Sequence, residues 1–252
     1  MNNVLITGGS SGLGRGLVEA LLVRSIRVTV LGRDVERLES VQRLGAAVYQ
    51  GDATDRATMD RVVAEVRPDM MILNAGATPA MAALDEHTWE SFELVFRNDV
   101  KATLHGFQAA FAAPLAPGSR VIAVSSGAAL VGAPLSGSYA GAKRTIWFMA
   151  RDANGIAEAR KLSIQFQALL PMQLVTDTPL GLTVASEYAR RRGVSVEAHV
   201  RERYGRSMSA RAYGERVAEW LAGPSPGGVA FGVGESGVYP MVEPPVDAYR
   251  SA

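Results

Sequence analysis

The chain has 252 residues, 48% of them hydrophobic and 20% charged, with a net charge of +1. That balance leaves ample material for a core and excludes a nucleic-acid binder held by a positive field. It contains no cysteine, which excludes disulfides, thiolate zinc sites and a cysteine nucleophile and makes a reducing cytoplasm the expected compartment.

The elements follow in chain order. Residues 3–6 predict a strand, and residues 12–24 (GLGRGLVEALLVR) set Leu13, Leu17, Ala20, Leu21 and Arg24 at helical spacing. Residues 26–31 (IRVTVL) predict a second strand, after which Asp34 starts a helix as its N-cap. Further strands are predicted at 46–50, 69–73, 119–125 and 163–170, and helices near 55–66, 88–113 and 138–161. A last apolar run, GVAFGV, lies around residue 229. Residues 177–212 are polar, Arg-rich and helix-prone, and predict an insertion over one edge of the sheet. The alternation predicts an α/β fold, a doubly wound parallel sheet of about seven strands with helices on both faces. No linker or repeat divides the chain, so residues 1–252 are expected to form one domain. The three histidines, His87, His105 and His199, form no HExxH, and no apolar run approaches the ~18 residues of a membrane span. The start lacks a signal-peptide pattern, so no metal and no membrane partner is expected.

Residues 7–14 read TGGSSGLG, directly after Val4, Leu5 and Ile6. They fall at the turn from the first strand into the first helix, whose unpaired N–H groups and positive dipole end attract phosphate. Gly8 allows the tight turn, Gly12 lets a pyrophosphate approach the backbone, and Gly14 allows close helix–strand packing. Ser10 and Ser11 add hydroxyl donors, and Leu13 completes the loop. A glycine-rich connector that binds nothing is the bland alternative.

The spacing is Thr-Gly-x3-Gly-x-Gly, and further motifs follow it in order. Asp52 and Ala53 stand in GDATD, Asn74-Ala75-Gly76 after the fourth strand, and Asn98 in the long middle helix. Ser126 precedes Tyr139 by thirteen residues, Lys143 follows as Tyr-x3-Lys, and Pro171 and Thr176 match a PGxxxT segment. Over roughly the first 180 residues the chain resembles the short-chain dehydrogenase/reductase family. The resemblance implies a Rossmann-type dinucleotide fold and an oxidoreductase that interconverts a ketone and a secondary alcohol. It implies that Asp52, Ala53, Asn74, Ala75, Gly76 and Thr176 border the cofactor, and that Asn98, Ser126, Tyr139 and Lys143 are catalytic. Met172 departs from the family's PG pair, as does the C-terminal FGVGESGVYPMVEPPVDAY.

The chemistry of these residue types supports those roles. Tyr139 and Lys143 are four apart and share one helix face. A free phenol titrates near ~10, and a nearby ammonium favours its phenolate, which suits Tyr139 to general acid–base work. The Ser126 hydroxyl can hold a substrate oxygen as charge develops there. The resemblance further implies that Lys143 bonds the nicotinamide ribose and that Asn98 holds a water linking Lys143 to solvent. A catalytically weak redox sensor or scaffold of the same fold is the rival class.

After the second strand Gly32 stands where NAD users place an acid, and Arg33 follows. Arginine can pair with a 2′-phosphate, so NADP(H) is expected in preference to NAD(H). The second basic marker is missing, because Ser11 precedes Gly12. Phe107, Phe111, Trp147 and Phe148 predict an apolar face beyond the core, hence a homodimer or homotetramer. Residues 177–208 predict a substrate lid with Leu180, Leu182, Val184 and Tyr188 inward, and so a hydrophobic ketone or alcohol. Arg190, Arg191 and Arg192 are either a solvated face or an anchor for an acidic substrate tail.

Overall fold

The structure, a computed structural model, describes residues 2–113, 115–205 and 207–242. Its centre is one eight-stranded sheet in the order β3-β2-β1-β4-β5-β6-β7-β8. The strands are β1 (Asn3–Thr7), β2 (Arg27–Gly32), β3 (Ala47–Gln50), β4 (Met70–Leu73), β5 (Arg120–Val124), β6 (Gln165–Pro171), β7 (Ala230–Gly234) and β8 (Gly237–Pro240). All neighbours pair in parallel except β7 and β8. MMIL in β4 and RVIAV in β5 are buried throughout, as sheets covered on both faces require. β8 is the strand the sequence did not announce: Gly237, at φ 118°, turns the chain back into an antiparallel edge.

On one face lie α1 (Gly12–Val23), α2 (Val35–Gln42) and α10 (Ala210–Ala222), packed through Leu17, Leu38 and Val217. On the other lie α3 (Arg56–Val66), α5 (Lys101–Ala112) and α7 (Gly137–Ala159), through Met59, Phe107 and Ile146. Asp34 caps α2 by accepting from Arg37 N at 3.1 Å, which satisfies one of the helix's free N–H groups. α1 and α10 approach so closely that a Cβ on Gly214 would lie 2.1 Å from Gly16 O.

Three expectations change. The helix over 88–113 is broken into α4 (Trp89–Val95), a π-helical turn Phe96–Val100, and α5. The polar insertion forms α8 (Pro179–Arg192) and α9 (Val196–Tyr204), whereas residues 210–212 open α10. The aromatic rings meant for a partner mostly face inward. Phe107 and Trp147 are core residues, and Phe111 stacks on Phe166 at 4.8 Å. Only Phe148 stays exposed, with Arg144 and Arg151 over its ring. No helix among the described residues is long and apolar enough to cross a membrane.

Candidate active site

Strand order reverses between β1 and β4, and such a switch point opens a crevice at the carboxyl ends of the strands. A cavity of about 1020 Å³ occupies it. At one end the chain leaves β1 through Gly8 (φ 66°) and Gly12 (φ 54°), conformations that side chains resist. A Cβ on Gly14 would sit 2.4 Å from Gly8 O. Thr7 Oγ1 accepts from the backbone N–H groups of Asn74 and Ala75, each at 3.0 Å, and Asn74 Nδ2 donates to Gly8 O at 3.1 Å. The NAG motif therefore clamps the glycine loop to the end of β4.

Gly8, Ser10, Ser11, Gly12 and Leu13 line this end, and Ala53, Asn74, Ala75 and Gly76 continue the wall. Gly14 lies beneath the loop rather than on the cavity, as its packing role requires. Thr176 does not reach the cavity. Thr178 does, because it caps α8, accepting from Gly181 N at 3.0 Å and donating to Val175 O at 2.7 Å. Its Cβ comes within 3.7 Å of where a Gly12 Cβ would be.

Arg33 lines the cavity beside Gly32, and Arg37, which sequence reasoning missed, joins it. Its signal was the helical spacing from Arg33. Arg33 Nη1 lies 3.6 Å from Asp52 Oδ2. Burial pushes the Asp52 carboxyl up, but the Thr54 N–H and then Arg33 more than offset this and hold it below the usual carboxylate value. Asp34, engaged by Arg37 Nε at 3.1 Å, is committed to its cap.

Ser126, Tyr139 and Lys143 line the other end. Lys143 Nζ donates to Val124 O at 3.0 Å and lies 5.4 Å from the Tyr139 ring centre. Ser125 Oγ donates to Lys143 O at 2.7 Å and ties α7 to the end of β5. Ser126 Oγ accepts from Ala128 N at 3.2 Å.

Asn98 also reaches the cavity, but its Nδ2 donates to Leu94 O at 2.8 Å. The contact with Lys143 belongs instead to Asp99, whose Oδ2 is 3.0 Å from Nζ. Burial alone would depress the Lys143 ammonium; Asp99, with Tyr139 adding to it, outweighs this, so Lys143 is held charged above its ordinary range. Asp99 escaped the sequence reading because a π turn, invisible in α-helical spacing, turns it inward; an acid directly after the expected asparagine was the only signal.

α8 and α9 cover the catalytic end. Leu180, Val184 and Tyr188 line it, whereas Leu182 is exposed. Arg190 and Arg191 pair with Glu187, and Arg191 also with Glu86. Only Arg192 of that run faces the cavity, and it is bound to Glu202 at 2.6 Å. Met172, at the family's glycine position, keeps the loop in the sheet by donating its N–H to Val233 O at 3.0 Å.

A family model described as short chain dehydrogenase matches residues 2–185. Oxidoreductase asL5 of Sarocladium schorii is 30% identical over 184 residues, 69% of this chain and 72% of that protein. The cis-2,3-dihydrobiphenyl-2,3-diol dehydrogenase of a Pseudomonas species is 29% identical over 216 residues, 74% of this chain and 77% of its own. Among solved structures, the actinorhodin polyketide ketoreductase with NADPH superposes with a TM-score of 0.73 at 23% identity, covering 88% of this chain and 91% of that one.

Proposed function

The chain belongs to the short-chain dehydrogenase family, and on that premise we propose an NADP(H)-dependent enzyme that interconverts a hydrophobic, ring-containing ketone and its secondary alcohol. The coarser activity is that of the family: oxidoreduction of a carbonyl–alcohol pair in a small molecule with a nicotinamide cofactor. The observation that carries the finer reading is one cavity joining the glycine loop to Ser126, Tyr139 and Lys143. The loop fits a pyrophosphate, since among the described residues outside the loop and its own helix only Thr178 comes within 4 Å of a Gly12 Cβ, and close backbone approach is what the phosphates need.

When bound, the nicotinamide supplies or accepts the hydride. Ser126 Oγ holds the substrate oxygen, and Tyr139 Oη gives that oxygen its proton or takes it away. Arg33 and Arg37, with no acid at Gly32, support recognition of a 2′-phosphate. Leu180, Val184 and Tyr188 support an apolar substrate, and the dihydrobiphenyl diol named for one similar protein supports a ring.

Tyr139→Phe tests the assignment. NADPH titration should be nearly unchanged while turnover on a ketone panel falls by ~10²–10⁴-fold; wild-type turnover in that variant overturns it. We further propose self-association through α5 and α7, where Leu104, Phe148 and Ile156 remain exposed. A monomeric mass by light scattering at micromolar concentration overturns that.

A further inference from the structure

We propose that Asp99 is a positioning residue that cancels the charge of Lys143 and so weakens the pull of that ammonium on the Tyr139 proton. The inference rests on the acid–base role of Tyr139 proposed above.

The geometry holds the carboxylate in place on both oxygens. Oδ2 meets Lys143 Nζ at 3.0 Å, and Oδ1 accepts from Ala77 N at 2.8 Å. A Cβ on Gly76 would lie 2.7 Å from Oδ2, so the glycine of the NAG motif leaves space for this carboxylate. The side chains are 1% exposed for Asp99 and 7% for Lys143. Buried this deeply, the two charges are screened little by water.

A lone ammonium beside a phenol draws out the phenolate. A carboxylate 3.0 Å from that ammonium leaves a pair of zero net charge, whose field at the phenol is far weaker. Among the described residues no other charge compensates. The ends of β4 and β5 offer only the neutral Asn74, Ser125 and Ser126, and α6 (Ala128–Val131) carries none. From α4, Glu93 pairs with Arg97 at 3.0 Å on the exposed surface. Arg144 lies over the Trp147 and Phe148 rings. On α5, Lys101 and His105 face Asp55 and Arg56 of the α3 region. Arg192, Glu202 and Arg203 line the cavity from the lid, the first two as a pair. In reduction Tyr139 gives its proton to the carbonyl oxygen, the hydride would come from the bound cofactor, and the phenolate left behind is reprotonated from solvent.

Ultraviolet titration of the phenolate, as the difference between each protein and its Tyr139→Phe counterpart, reads Tyr139 without a substrate. Asp99→Asn keeps the shape and removes the charge; its phenolate signal should appear lower in pH by about one unit or more. Asp99→Asn with Lys143→Met, again net neutral, should return the curve to that of the wild type. Superimposable wild-type and Asp99→Asn curves overturn the proposal. Should the single variant fail to fold, the double variant decides: coincidence with wild type supports charge cancellation, and a curve displaced to higher pH overturns it. A Tyr139→Phe enzyme with normal turnover overturns the acid–base reading itself. An inactive one beside unshifted Asp99→Asn curves overturns only the role of Asp99.

Discussion

Gly8, Gly12 and Gly14 shape one end of the cavity by the atoms they lack, whereas Asp99, Tyr139 and Lys143 shape the other by the charges and protons they carry. At the first end the constraints are steric and local: positive φ at two glycines and no room for a Cβ at the third, all within eight residues. At the second they are electrostatic and distant. Lys143 meets a carboxylate from a π turn on another element, and the covering helices come from later still. Backbone sites follow from spacing, while side-chain sites depend on which way each helix is turned.

The contrast can be broken most forcefully at Gly14. Gly14→Val places its Cβ against Gly8 O and Asn74 Nδ2, at 2.4 and 2.6 Å, and both atoms are tied to each other. Overpacking a fixed backbone costs about 1–3 kcal/mol or more, so urea unfolding should show a large loss and NADPH binding should vanish. A folded variant with normal NADPH affinity would mean that the loop is softer than its contacts imply.

Next in size is the phosphate contact. Arg33→Ala should weaken NADPH by about 1.5–3 kcal/mol, the worth of a charged hydrogen bond, and leave NADH nearly unchanged. Arg37→Ala should do less, because Asp34 already holds that side chain. Wild-type protein that binds NADH more tightly than NADPH would refute the cofactor choice.

What the sequence made legible follows the same division. Strand positions up to β7 were readable because buried parallel strands are continuous apolar runs, as in Val4–Ile6 and Met70–Leu73. The glycine loop was readable because its chemistry lies in one contiguous stretch. Asp99 was not, since a π turn adds a residue to one helical turn and shifts which side chain faces inward. Thr176 was expected at the cofactor because it keeps the family's interval, but α8 begins at Pro179 and brings its cap, Thr178, to the cavity instead. The inward turn of Phe107 and Trp147 could not be read either, since a helix with two apolar faces does not declare which one meets the sheet.

Asp34 sharpens the nucleotide end further. An acid one residue past Arg33 could serve a ribose or a helix cap, and its bond from Arg37 N favours the cap. Asp34→Ala should lower stability by about 1 kcal/mol, a normal capping loss, seen as a drop in Tm. It should also free Arg37 from its 3.1 Å ion pair, so NADPH affinity should hold or rise. A selective loss of NADH binding would return Asp34 to the ribose.

The smallest effect belongs to the lid and depends on pH. Hydrogen bonds from Arg190 and Arg191 hold the Glu187 carboxyl down at about 2, below its ordinary 4.5. Because the folded value is the lower one, the stabilisation is fully present above the ordinary value and is lost as pH falls toward about 2. Arg191 also reaches Glu86 and holds that carboxyl too below its ordinary value, so acid that protonates both carboxylates loosens α8 from the 3₁₀ turn Leu84–Glu86. Glu187 is partly buried but its partner Arg190 is exposed, so salt should weaken the contact as well. Hydrogen-exchange protection of α8 should therefore decline through this acid range, and at high salt, before that of α1. The Gly8 N–H, bonded to Leu31 O at 2.9 Å in a loop without a titratable side chain, should keep its protection until the whole domain unfolds. Equal loss in both regions would show that the lid is fastened by its apolar contacts and not by these ion pairs.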